Sequence, residues 1–265
     1  MRISIEHVTR YQYATEASYS IQSLRLTPCE FAGQRRLEWA ITSRPEGMII
    51  ETRDGFGNAL HLLTVEGPHS EVEITARGVM EVEDRAGLVA GLAETVPLRV
   101  FMRRTDLTMP DAGIAALVTP VPAGQTVPWL HGLMDRIRDG VEYETGVTDS
   151  GTTAAEALKA GHGVCQDHAH IFISAARVAG IPARYVTGYL LLADGPPEPA
   201  HHAWAEAWAE GLGWVGFDVA NRICPTDRYV RMAGALDATY AAPIVGSRRG
   251  GGAETLEVHV QVQQQ

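Results

Sequence analysis

The chain has 265 residues, 45% of them hydrophobic and 20% charged, enough apolar material for one or two cores. Its net charge of −10 argues against a nucleic-acid or anionic-membrane partner, since phosphate binding needs clustered Lys and Arg and the doublets Arg35-Arg36, Arg103-Arg104 and Arg248-Arg249 stand apart. No stretch approaches the ~20 apolar residues of a membrane span, the first residues show no apolar leader, and Cys29, Cys165 and Cys224 have no paired spacing, so a cytoplasmic chain without a disulfide framework is expected.

In chain order, residues 1–85 read as an antiparallel β domain. Short strand-like runs at 3–8, 21–26, 37–41, 48–52, 60–65 and 72–79 alternate as in a sandwich with one wet face per sheet, and Asp54-Gly55-Phe56-Gly57-Asn58 supplies a hairpin turn. Residues 86–128 read as a looser linker with a short helix at 111–118, begun by Pro110. A second domain spans 129–265. Leu130, Leu133, Met134 and Ile137 have the spacing of an amphipathic helix, and residues 153–160 give another. A helix from Cys165, a strand over 184–192 and a Pro- and Gly-rich loop over 194–200 follow; the loop is either a lip of the cleft or an inert connection. The tail at 255–263 alternates again and is expected to return to a sheet of the first domain, so the fold class is α+β.

The chemistry concentrates in the second domain. In Gly161-His162-Gly163-Val164-Cys165-Gln166-Asp167-His168 the glycines break the chain and the apolar spacing of Phe172, Ile173, Ala176 and Ala179 then begins a helix, which puts Cys165 in a first helical turn. Free backbone N–H groups and the dipole there favour a thiolate and can receive an oxyanion. From His202 the chain alternates bulky residues (His202, Trp204, Glu206, Trp208) with alanines, turns at Glu210-Gly211-Leu212-Gly213 and returns through Trp214 to Asp218. A loop of odd length, or a bulge that restores parity, makes His202 and Asp218 diagonal neighbours. A four-residue loop would turn Asp218 away.

Gly163-Val164-Cys165-Gln166-Asp167, His202-Ala203-Trp204 and Gly213-Trp214-Val215-Gly216-Phe217-Asp218, in this order, resemble the core motifs of the bacterial transglutaminase-like proteins, whose fold is similar to that of papain-like cysteine proteases. Residues 152–158 and 180–186 resemble that family's flanking helix and strand, and residues 1–85 its N-terminal β domain. The resemblance implies Cys165 as nucleophile, His202 as general base and acid, and Asp218 as the carboxylate that orients it. The chain departs from the family at His168, where an aromatic residue is more frequent, and at Leu236-Asp237-Ala238, where the family tends to carry Arg-Asp-Tyr.

Each assignment has a plainer rival. Cys165 as a buried helical cysteine leaves the two later motifs unexplained. His201 points to the other face of its strand from His202. Asp218 could cap a turn for Asn221 and Arg222, and Asn221 could itself orient the histidine. His168, one helical turn past Cys165, could raise the thiolate population or compete as base, while Asp167, Gln166 and Trp204 are further candidate accessory residues. Glu206 reads as solvated or as a group supporting the site from behind, Trp204, Trp208 and Trp214 as packing, and Cys29 and Cys224 as small buried residues. His162, Cys165, His168 and His170 crowd nine residues, yet one helix cannot converge all four on a zinc ion, so neither metal nor cofactor is implied.

The expected activity is thiol-dependent acyl transfer on a peptide, isopeptide or other amide through a Cys165 thioester. Water as acceptor makes a cysteine peptidase or amidase; an amine makes a protein-glutamine γ-glutamyltransferase. Hydrolysis is favoured because aminolysis requires a site that excludes water. A non-catalytic binding module on the same fold is the reading from a different class.

Overall fold

A computed structural model describes residues 1–93, 95–192 and 201–265; the loop over 194–200 lies outside the described residues. Two long strands dominate the N-terminal part. β1 (Arg2–Leu24) and β4 (Ala59–Val82) pair antiparallel, and β2 (Gln34–Arg44) and β3 (Met48–Arg53) pair in turn with β4. The runs 3–8 and 21–26 thus belong to one strand, as do 60–65 and 72–79. A register shift between Gln12 and Ala17, where Ala14-Thr15-Glu16 interrupts the apolar alternation, breaks the hydrophobic period without ending the strand. Arg36, Trp39 and Ile41 line a cavity of about 180 Å³ together with Glu51 and His61, and the strands of this part belong to one continuous sheet rather than to two stacked ones.

The chain continues through β5 (Leu88–Val89), α1 (Ala112–Ala116), α2 (Thr126–Gly140), β6 (Glu142–Tyr143), α3 (Ala154–Ala160), β7 (His162–Gly163) and α4 (Cys165–Val178). It then forms β8 (Ala183–Leu190), β9 (His201–Ala209), β10 (Gly213–Phe217), β11 (Tyr229–Ala235), β12 (Ile244–Gly250) and β13 (Glu254–Gln264). A second antiparallel sheet runs β11-β8-β9-β10-β5. Ala203, Ala205 and Ala207 of β9 and Ala183 of β8 form a face of small side chains that, with Tyr185, shares one core with Phe172 and Ala176 of α4. Tyr189, Val230 and Met232 join Ile3, Ile5, Leu63 and Ile74 of the first sheet in another, so all eight residues of β8 are buried. Each fully buried side chain of this size contributes roughly 1.5–3 kcal/mol relative to exposure.

Three expectations are corrected. The stretch 86–128 is bolted to the second sheet: β5 pairs with β10, Phe101 packs with Trp214 and Leu236, and Arg177 of α4 donates to the carbonyl oxygen of Phe101 and to Thr108 Oγ1. Pro110 does not begin α1; Asp111 is the cap, accepting from the Ile114 N–H at 2.8 Å. The helix that carries Leu130, Leu133, Met134 and Ile137 starts at Thr126, ahead of the domain boundary expected at 129, with Pro128 in its first turn. The chain end returns to the first sheet twice, β12 and β13 both pairing antiparallel with β1. Among the described residues no helix is long and apolar enough to cross a membrane.

Candidate active site

The nucleophile segment is fixed from both sides. Thr153 and Glu156 cap α3 reciprocally, and Gly161 ends that helix at φ 75°, in the left-handed region where glycine carries no penalty. Asp167 Oδ2 accepts from the Val164 N–H at 2.8 Å and from Thr148 Oγ1 at 2.7 Å, which ties the start of α4 to the preceding loop. A Cβ at Gly163 would stand 2.8 Å from Asp167, so the close approach requires glycine. Cys165 is the first residue of α4 and half-buried, with the unpaired amides of a helix start around it.

The base arrives on the hairpin. Gly213 pairs with Ala209 and Phe217 with Ala205, leaving a three-residue loop whose Gly211 adopts φ 82°. This odd loop, the one expected, puts His202 Nε2 2.7 Å from Asp218 Oδ2, with both side chains buried. The same oxygen accepts from Asn221 Nδ2 and from the Tyr229 hydroxyl, each at 2.7 Å. Trp204 stacks on the His202 ring at 6.4 Å between centroids. Burial opposes charge on His202, but hydrogen bonds to Asp218 and to Cys165, with their Coulombic attraction, outweigh it and hold the imidazole up at about 10. Burial likewise opposes the Asp218 carboxylate, and the donors His202, Asn221 and Tyr229 nonetheless keep it below its ordinary range. His202 and Asp218 are thus a hydrogen-bonded imidazole–carboxylate pair, and Cys165, at the start of α4, is among the groups that favour the charged imidazole.

The other candidate residues lie elsewhere. His168 neither supports nor rivals the base, because its ring nitrogens face the carbonyl oxygens of Val164 at 2.9 Å and Val141 at 3.1 Å. Asp167 is structural in the sense just described, and Gln166 is half-buried, with no side-chain hydrogen bond to a described residue. His170 Nε2 accepts from the Ala238 N–H, so the histidines of this helix serve separate backbone contacts. His201 meets Thr187 Oγ1 at 2.8 Å on the opposite side of β9 from His202. Glu206 is not solvated: it is fully buried between Arg184 and Arg231, whose Nε lies 2.7 Å away. Arg231 Nη1 also reaches Cys29 Sγ at 3.2 Å, and Cys224 Sγ lies 3.9 Å from His131 Nε2. Asp237, in the departing tripeptide, accepts from the N–H groups of Thr239 and Tyr240 and closes a turn. Tyr229 and Thr148 escaped the sequence reading. A tyrosine opening a strand and a threonine in a loop carry no chemical signature until pairing brings them to a carboxylate.

Chemically, an imidazolium beside a thiol at a helix start can stabilise a thiolate and deliver a proton to a leaving group. Known proteins share the architecture. Residues 3–81 match the bacterial transglutaminase-like N-terminal region and residues 126–219 the transglutaminase-like superfamily. An uncharacterized protein of Mycobacterium leprae is 28% identical, with 98% of each chain covered. An uncharacterized protein of Mycobacterium tuberculosis is 29% identical over 92% of this chain and 87% of its own. A crystal structure from Cytophaga hutchinsonii, provisionally named a cysteine protease, superimposes with a TM-score of 0.78 at 23% identity, covering 99% of this chain and 90% of that one. That likeness extends to the fold of both sheets.

Proposed function

We propose, from the premise that this chain belongs to the transglutaminase-like superfamily, that it is a thiol-dependent acyl-transfer enzyme that cleaves a peptide or other amide bond with water as acceptor. The observation that supports the reading is the His202–Asp218 hydrogen bond, with Cys165 at the start of α4 among the groups that favour the charged imidazole. The Cys165 thiolate attacks the amide carbon, forming the C–S bond while the carbonyl oxygen takes the negative charge toward the free amides of α4. His202 then gives its proton to the nitrogen as the C–N bond breaks, the amine departs, and a thioester remains. Water attacks that thioester as His202 takes its proton; the acid leaves and the thiolate and imidazolium are restored. Asp218 holds the ring in place throughout without itself being protonated.

Intact-protein mass spectrometry over a peptide library, run with and without a primary amine, tests this. A Cys165-bound acyl adduct absent from Cys165→Ala, with acid product in both arms, is the expected result. Mixed amide formed only with the amine would overturn water as acceptor. Absence of any adduct, together with equal labelling of Cys29, Cys165 and Cys224 by a thiol probe, would overturn the enzymatic reading in favour of a binding module.

A further inference from the structure

We propose that Tyr229 is a positioning residue of this site: its hydroxyl, together with the Asn221 amide, fixes the Asp218 oxygen that binds His202, so that the other ring nitrogen stays aimed at Cys165. The inference rests on the reading of Cys165 and His202 above. A carboxylate held by one hydrogen bond turns freely about its terminal torsion, which is broad and roughly two-fold. Three donors converging on Oδ2 at 2.7 Å leave one orientation, and they approach from different directions: β9, the exposed loop at Asn221, and the buried start of β11. The Tyr229 ring also stands edge-on to His202 at 6.0 Å and to Trp204 at 5.5 Å, so it walls the imidazole as well as anchoring its partner. The strand that carries it is itself held, because two residues on, Arg231 bonds Glu206 and its backbone N–H donates to Gln34 of the first sheet at 2.7 Å.

The titratable and charged groups facing this cluster are Cys165 from α4 and Arg228 beside Tyr229, while His201, on the other side of β9, is coupled to His202 only by charge. Burial first, then the Asp218 charge, pushes the phenol far above its usual range, so Tyr229 remains a neutral donor throughout a protein titration. Without its bond, Asp218 takes a proton at higher pH, the imidazolium loses its counter-charge, and the thiolate is lost at higher pH.

The test is the rate of Cys165 alkylation by iodoacetamide from pH 4 to 9, read by peptide mass in the parent, Tyr229→Phe and Asn221→Ala, with thermal melting alongside. The parent is expected to alkylate at Cys165 ahead of Cys29 and Cys224 and to lose rate along an acid limb as the pH falls. In Tyr229→Phe the acid limb moves up by about one pH unit, giving a rate roughly tenfold lower at pH 5, while rates near pH 9 stay within about twofold. An acid limb coincident with the parent's would reduce Tyr229 to packing and overturn the proposal. Should the Phe variant not fold, Asn221→Ala removes a donor to the same oxygen from the surface; a shift in the same direction supports the proposal and coincidence overturns it. A parent with no preference for Cys165 is a different failure, which sinks the nucleophile and this inference with it.

Discussion

His202 holds its charge because two partners share it, and that sets the pH behaviour of the site. Its folded value of about 10 lies above the ordinary imidazole value, so the stabilisation is fully present below about 6.5 and is lost as pH rises toward 10. Replacing Asp218 by Asn removes the counter-charge while keeping the shape. Iodoacetamide alkylation of Cys165 in Asp218→Asn is then expected to be about 10- to 100-fold slower than in the parent at pH 6 and to converge with it near pH 9, where the thiol ionises unaided; equal rates at pH 6 would show that the carboxylate is not what holds the imidazolium. At this scale the sequence was legible in placement, where a residue type and a spacing coincide: Cys165 opens α4 and His202 meets Asp218. It misled at His168, because a one-turn offset establishes a shared helix face but not the ring direction, and two backbone carbonyl oxygens claim that ring. Tyr229 stayed hidden because its partner lies eleven residues away across an irregular segment.

Among the elements, the hairpin was readable because strand parity is a two-valued question that a single turn decides, and Gly211 and Gly213 mark that turn. What parity could not reveal was which strand lies on the other side of β9. Arg184 of β8 stands directly opposite Glu206, and Arg231 of β11 approaches from beyond it, so a residue that looks solvated in an isolated hairpin becomes the centre of a buried ion triad. Burial alone would raise the Glu206 carboxyl, but the two guanidinium groups prevail and hold it at about 2. Arg184 also lies 3.9 Å over the Trp214 ring, which links the triad to β10. Removing the central charge leaves two buried cations facing each other without compensation, a situation that costs roughly 3–5 kcal/mol. Urea unfolding of Glu206→Gln is therefore expected to lose stability on that scale with an unchanged m-value. A loss below 1 kcal/mol would mean the triad is not a clamp between β8, β9 and β11.

Across the whole molecule, the two sheets share a core, and the chain passes between them more often than its motifs suggest. The alternation at 255–263 signalled a strand, whereas β12 (Ile-Val-Gly-Ser-Arg-Arg-Gly) carries two glycines and two charges and reads as loop until β1 offers it an edge. The junction contains polar groups that matter for acid stability. His7 is buried among Tyr189 and Thr9 where the first sheet meets β8, and His170, on α4 away from that junction, is buried against Tyr185 with the Ala238 N–H as its donor. Burial first, with the nearby His201 and Arg177 respectively, lowers each imidazole to about 3. The unfolded chain takes up both protons near pH 6.5 and the folded chain does not, so stability is full above that value and declines as pH falls toward 3. Over pH 6 to 5 His202 is largely protonated in both states and the unfolded Glu206 carboxyl is still mostly ionised, so the fall in stability there comes chiefly from the buried rings, to which His201, lowered by burial to about 4, adds a third. Each uncharged ring costs about 1.4 kcal/mol per pH unit there, so with three such rings urea unfolding should show stability falling by roughly 3–4 kcal/mol per unit, with a maximum near pH 6.5. In His7→Gln the slope should be about a third shallower; a parent profile that stays flat from pH 6 to 5 would mean that these imidazoles are protonated inside the fold.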